Sequence, residues 1–401
     1  MKPATTKAAA KRQPTCPECK KRFRTMSRTK KFCSALCSQS FRNEARRVKY
    51  LFNATNSPFF QELARQAVRA RTLLIYKDFS QDQLEALYDV YAACQKMNGY
   101  GLRKEYGEAQ FEISHIAPVR GKASIGLFRA DNLVIVPMAL NRAHGTKHFA
   151  GGASLSITDL SSRFALEKEA NHADVIQRII ELIGEKAVMA VVKSKKIQPS
   201  KRQALYSWLV DNLDDANPDH AKHLTTIETA SARVLAGIMQ EVQGKEVVSD
   251  FRVFLSFHDD TSVLMSEWER VGNAYRPEIL PALERLQFLD ANTNTRFRLR
   301  FDSIDTQLVF DMLHGKPACT VDSMIDALYA RALASPVMYQ PTDALQQTMQ
   351  PVMQAPAARR SVTLSFLEEL DSQMESVAPI ALVVANSVPV EEPHFIIRSS
   401  L

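Results

Sequence analysis

Six cysteines occur in 401 residues, and four of them crowd into the first forty positions as Cys16-Pro-Glu-Cys19 and Cys33-Ser-Ala-Leu-Cys37. Two close thiol pairs separated by thirteen residues supply four soft ligands, the set that a tetrahedral Zn²⁺ takes. The text between the pairs, KKRFRTMSRTKKF, is too short and too polar to build a core, so a metal is expected to staple it. Cysteine fills all four positions, which leaves none open for water and makes the expected role of the zinc structural. A disulfide framework would instead spread its cysteines through a short secreted chain. Cys94 and Cys319 stand alone in apolar, helix-like surroundings, where buried free thiols are expected.

The form CPxCxxxF…KKFCSxxC resembles treble-clef zinc fingers, and the resemblance implies that the second cysteine pair opens a helix. A second constellation, FEISHIAPVRG…ADNLVIVPMALNRAHGTK, resembles the HNH, or His-Me finger, endonucleases. Glu112-Ile113-Ser114-His115-Ile116 with Pro118 matches the first block of that family. Asp131-Asn132-Leu133 matches the second, and Asn141-Arg142 with Gly145-Thr146-Lys147 the third. The resemblance implies phosphodiester hydrolysis on a ββα-metal unit, with one Mg²⁺ or Mn²⁺ held through oxygen ligands. His115 would be the general base, its ordinary pKa near 6.5 suiting proton abstraction at neutral pH. Asn132 would brace the ββ loop and orient His115. Asn141 would ligate the metal, and Arg142 and Lys147 would contact phosphate.

Two features depart from the family's pattern. Ser114 stands where a metal-binding Asp precedes the catalytic His, and a hydroxyl is a neutral, weaker ligand. Metal affinity should therefore fall unless Glu112, His144 or His148 substitutes. Pro137 and Leu140 stand where some members carry cysteines, a loss that bears on stability more than on chemistry. The order of finger, basic helix and HNH unit is also loosely similar to phage recombination nucleases of the NinG/Rap type, over residues 14–190 at most. VIQRIIELIGEKAV (175–188) is similar to their closing helix. The remaining histidines (His172, His220, His223, His258, His314 and His394) lack ligand spacing and read as surface or core residues.

The elements that must position these residues read as α+β, mostly α-helical. A disordered basic leader (1–13) precedes the zinc finger and its basic helix (14–50), and a helical segment follows (51–107). In it, helical patterns run over roughly 58–76 and 81–97, the second opened by a Ser80/Gln83 capping box. AQFEISHIAPV alternates like a strand, RGKASIG loops, NLVIVPM is a second strand-like run, and ALNRAHGTK is helical, a compact ββα unit over 108–151. Residues 152–335 read as one mainly helical domain. Val175, Ile176, Ile179, Ile180 and Ile183 form an apolar stripe there, helices cover 200–213, 216–242 and 321–333, and RFRLRF (296–301) reads as a strand. Residues 336–401 form a Gln-, Pro- and Met-rich linker and tail, with VTLSFLEELDSQMESV as a short docking helix.

Charge sharpens the functional reading. Residues 1–50 carry a net +13, residues 51–150 a net +3, and the rest a net −9. A basic head on an acidic body suits a polyanion, with Lys20, Lys21, Arg22, Arg24, Arg46 and Arg47 as DNA contacts and the acidic helical region as a surface for a protein partner. No run of 18 uncharged apolar residues and no apolar signal segment follows the basic N-terminus, so a non-membrane, intracellular chain of bacterial, phage or mobile-element origin is expected. The reading is a zinc-finger HNH endonuclease that nicks or cuts DNA, branched DNA included. The rival is a non-catalytic DNA-binding accessory protein with a degenerate HNH unit. A third reading makes the acidic helices of a structural or regulatory protein the functional part.

Overall fold

The computed structural model describes residues 12–214, 216–244, 258–292 and 299–334. The docking segment expected at 362–377 and most of RFRLRF lie outside these residues; 299–301 are not in a strand. The fold is α+β and mostly helical, with two small sheets of two strands each. No helix among the described residues is long and apolar enough to cross a membrane.

Helix α1 (Ala35–Asn56) begins at the second cysteine pair, where the Ser34 hydroxyl accepts from the Cys37 amide and caps the first turn. It runs unbroken through the boundary expected at residue 50, because nothing between Ala35 and Asn56 is a helix breaker. Helix α2 (Pro58–Ala70) starts on a Ser57 cap with proline in its first turn, and Arg71 at φ 63° turns the chain out. Helix α3 (Gln81–Met97) is opened by the reciprocal Ser80–Gln83 box, and the single turn α4 (Leu102–Glu105) leads into the sheet.

Strand β1 (Phe111–His115) pairs antiparallel with β3 (Leu133–Pro137), His115 opposite Leu133. Between them in sequence β2 (Ser124–Gly126), within the stretch expected to be loop, pairs with β4 (Ser154–Ser156), within the stretch expected to be mainly helical, and so forms a second sheet. Helix α5 (Met138–His144) follows β3 directly.

All five residues of β3 are buried, because helices cover both faces. Leu133 and Ile135 enter a core with α2, α3, α6 (His172–Ile183) and α7 (Glu185–Ser194). Val134, Val136 and Ile116 enter a second core with α11 (Asp260–Ala274), α12 (Leu280–Asn292), α13 (Ser303–Leu313) and α14 (Asp322–Ala334). A third, small cluster joins α8 (Lys201–Asn212) to α10 (Ala232–Val242), past α9 (Pro218–Leu224). The stretch 152–335 is thus divided among three cores rather than one, and its expected helix over 216–242 is two. Ser231 caps a new start for α10 after the Thr-rich turn, where β-branched Thr225, Thr226 and Thr229 weaken helix continuation.

The outer edge of β3 has no partner strand, yet its polar groups are satisfied. The Ile135 amide donates to Glu267 Oε2 at 2.8 Å, and Arg270 donates to the carbonyls of Leu133 (2.6 Å) and Ala130 (3.3 Å). Glu267 and Arg270 also pair with each other at 2.7 Å. An ion pair on α11 thus takes the place of a third strand.

Candidate functional site

The first candidate centre is the cysteine cluster. The ligand atoms of Cys16, Cys19, Cys33 and Cys37 all lie within 4.8 Å of one another. Cys19 and Cys33 sulfurs stand 3.5 Å apart, and those of Cys33 and Cys37 3.4 Å. A tetrahedral Zn²⁺ with sulfur at about 2.3 Å needs sulfurs about 3.8 Å apart, so the four thiols fit the ion. Among the described residues no other group of three or more His, Cys, Asp or Glu ligand atoms is gathered this closely.

Backbone geometry builds the cluster. The Lys20 amide returns to the Cys16 carbonyl and the Cys16 amide to that of Lys21, with Lys20 at φ 58°. Burial pushes the Cys16 thiol up, but the backbone groups of Cys33, Cys19 and Glu18 outweigh it and bring it down to about 6. The contact with the Cys37 thiol leads those that push Cys33 up to about 12. Sulfurs crowded this closely push one another's protons in opposite directions, and a bound cation would favour the thiolate form of all four. Of the other two cysteines, Cys94 is buried but Cys319 is exposed, contrary to its apolar sequence context. It sits in the short turn between α13 and α14, where Val321 takes the inward position.

Around the cluster Lys20, Lys21, Arg22, Arg24, Arg42 and Arg46 are exposed. Arg47 is not available in the same way. Its guanidinium forks onto Glu185 of α7 at 2.8 and 2.9 Å and reaches Glu44 at 3.0 Å, which fastens α1 to the first core.

The second centre is the β1–β3–α5 unit. Asn132 is fully buried and spans the loop between the strands. Its Oδ1 accepts from the Ala117 amide at 2.8 Å, and its Nδ2 donates to the carbonyls of Leu127 (2.8 Å) and Ala117 (3.2 Å). Two glycines make room for it. A Cβ on Gly152 would come within 2.3 Å of Asn132 Oδ1, and one on Gly126 within 2.9 Å of Nδ2. The amide bracket closes the chain on itself just beyond His115.

His115 ends β1, with its ring tilted over Phe128 at 5.6 Å. Burial, then the charge of Arg69 and the neighbouring His314, brings its pKa down to about 3. The ring is therefore neutral at physiological pH but a much weaker base than the ordinary imidazole near 6.5 that the sequence suggested, which corrects that expectation. Arg69 is an exposed cation on α2, outside every motif, and only the fold brings its field to His115.

Strand alternation sends Glu112 and Ser114 to the other face of β1. Asn141 Nδ2 donates to Glu112 Oε2 at 2.9 Å, and Arg142 pairs with Glu112 Oε1 at 3.0 Å. Ser114 is 2% exposed and 2.8 Å from Nε2 of His314. His314 Nδ1 lies 2.8 Å from the Phe310 carbonyl, which can only accept, so Nδ1 carries the ring proton and the Ser114 hydroxyl donates to Nε2. Burial lowers His314 to about 4. The serine is thus turned toward α13 rather than toward Asn141. His144 closes the cluster 4.8 Å from the His314 ring, its Nε2 buried without a partner. His148 reaches only the Gly151 carbonyl, and Lys147 is exposed.

The hard oxygens nearest Asn141 are those of the Glu112 carboxylate and its own amide, but Asn141 turns its Nδ2 to Glu112 Oε2 and Arg142 holds Oε1, so a metal would have to displace both contacts. Two hard oxygens suit Mg²⁺ or Mn²⁺, which keep several waters and take the rest of their shell from phosphate. Sequence spacing named Glu112 only as a substitute and passed over His314, whose contact with Ser114 closes 200 residues of chain. No local signal could have found it. The chain matches no protein-family profile, no curated protein and no solved structure.

Proposed function

We propose that this chain binds DNA through its zinc-ordered basic head and hydrolyses phosphodiester bonds at the β1–β3–α5 unit with one divalent metal. The observation that carries the reading is the Asn132 bracket. A fully buried amide making three hydrogen bonds within one loop is a costly way to close a turn, and it fixes the strand end that presents His115. Glu112 and Asn141, which leave β1 on the face opposite His115, would hold the Mg²⁺ or Mn²⁺ in place of their present contacts with each other and with Arg142, and the ion would supply charge stabilisation at the phosphate and leaving oxygen when bound. His115, neutral at working pH, takes a proton from water. A phosphate drawn in by Arg69 adds negative charge beside the imidazole and strengthens it as a base. Arg142 and Lys147 supply further phosphate contacts, and Lys20, Lys21, Arg22, Arg24 and Arg46 hold the duplex.

Incubation of the full chain with supercoiled plasmid, in Mg²⁺, Mn²⁺ or EDTA, tests the reading. Metal-dependent nicking is expected, and His115→Ala should reduce it by about 10²–10⁴-fold while leaving DNA binding intact. Nicking by His115→Ala at the wild-type rate removes His115 from the mechanism.

A second reading is favoured by the covering of Ser114. Helix α13 lies over the position where a metal-binding carboxylate would stand, as suits an accessory protein that binds DNA without cutting it. Tight, zinc-dependent binding with no nicking in either metal would decide for it.

A further inference from the structure

Helix α1 is anchored along one side only. Arg47 ties it to α7, and Asn53 and Ala54 are buried, but Phe41, Ala45, Val48 and Phe52 form an i, i+4, i+7, i+11 stripe that faces solvent. Phe41, Val48 and Phe52 are 43%, 57% and 41% exposed. Phe41 leans on Phe32 at 5.3 Å, so the stripe continues onto the zinc module. A contiguous apolar row on a helix differs from scattered surface residues and marks a docking surface. Arg42, Arg46 and Lys49 each follow a stripe residue by one position, so all three cations line the same flank. None of the three makes an ion pair among the described residues.

The chain beyond the described residues carries the complement. Leu367, Leu370, Met374 and Val377 repeat at i, i+3, i+7, i+10, and Glu368, Asp371 and Glu375 each follow a stripe residue by one position. No Lys or Arg occurs between Arg360 and Arg398, and no Gly or Pro between Pro356 and Pro379. We propose that residues 362–377 dock as a helix on the exposed stripe of α1, antiparallel to it, and cover Phe41, Val48 and Phe52.

Orientation follows from handedness. Two parallel helices packed face to face bring opposite flanks together, whereas antiparallel helices bring the same flank of each together. Both charged flanks lie one residue beyond their stripes, so only the antiparallel arrangement sets acid against base. Matching the stripes places Leu367 by Phe52 and Val377 by Phe41, with Glu368 beside Lys49 and Glu375 beside Arg42. Reach is sufficient, because the 27 residues between Ala334 and Val362 span about 90 Å when extended. A globule of the described size has a radius of gyration of about 20 Å. Other occupants fit less well. A second α1 would bring three more cations against these three, and nucleic acid would meet the cations but leave three large apolar side chains wet. On the reading that the head binds DNA, the docked tail withdraws three cations from the phosphate-binding surface.

Zero-length carbodiimide coupling on the full chain tests this without nucleic acid, so its result stands apart from that reading. An equal mixture of unlabelled and ¹⁵N-labelled chains is coupled at low micromolar concentration, digested and read by mass spectrometry. A Lys49–Glu368 or Lys49–Asp371 link within single copies is expected. Leu370→Asp with Met374→Asp should lower its yield at least tenfold, and neither residue belongs to the cores built from residues 12–334. Absence of a link from Lys49 to the tail overturns the proposal, as does a link that survives the double substitution. Links of mixed isotopic composition in the proportion of random pairing overturn it in favour of a second copy.

Discussion

Arg270→Ala tests what holds the open edge of β3, the strand that Asn132 immediately precedes. The substitution strands Glu267, whose side chain is 2% exposed, and removes the donors to the Leu133 and Ala130 carbonyls. Breaking a buried pair from one side costs about 3–5 kcal/mol, and the uncovered carbonyls place this case at the upper end. Glu267→Ala also orphans a partner, the Ile135 amide, but the guanidinium it leaves behind is 25% exposed and can turn to water. Its cost should be smaller, about 3 kcal/mol. Removing both residues leaves unpaired backbone groups but no stranded charge, so the double variant should lose about 3 kcal/mol less than the sum of the singles. Urea unfolding read by the fluorescence of Trp268, buried on the same helix, measures all three, and hydrogen exchange of the Ile135 amide reports the edge directly. Additive losses, or a single loss under 1 kcal/mol, would show that the pair does not substitute for a strand.

Other expectations can be checked with standard assays. Asn132→Asp should be worse than Asn132→Ala, because it loses both donors and places a carboxylate in a fully buried loop; thermal unfolding gives the order. Changing Cys16 and Cys19 to Ser should reduce bound zinc from one equivalent to none by elemental analysis and expose residues 12–34 to protease. Eleven exposed cations remain among the described residues of the head once Arg47 is set aside, and if half reach phosphate, log K should fall against log salt with a slope of about −5, read by fluorescence anisotropy. Burial holds His314 at about 4 and His115 at about 3, so the unfolded chain binds their protons first as pH falls through about 6.5. Stability should therefore drop between pH 6.5 and pH 4, and His314→Gln should flatten that limb relative to the native chain.

What could be read from the sequence was what short-range physics determines. Ser80 and Gln83 cap α3 because their reciprocal bonds close within three residues, and the cysteine pairs gather because four thiols compete for one ion. The apolar stripe of α6 ends at Gly184, which alone tolerates the φ of 95° found there. Contacts that close over long stretches of chain left no such mark. Nothing within ten residues of His314 announces that its ring accepts from Ser114, and nothing near Glu267 announces that it takes an amide from β3. The misplaced expectations share that cause. Its neighbour His115 makes Ser114 read as part of a metal site, whereas its environment in the fold is α13. The positive run around Arg47 makes it read as a phosphate contact, whereas its partner is Glu185 on another helix. Charge runs and motif spacing identify which residues can reach a nucleic acid, and the fold decides which are already engaged. The same division covers Arg69, which lies on an ordinary amphipathic helix and whose charge is brought to bear on His115 only by the fold.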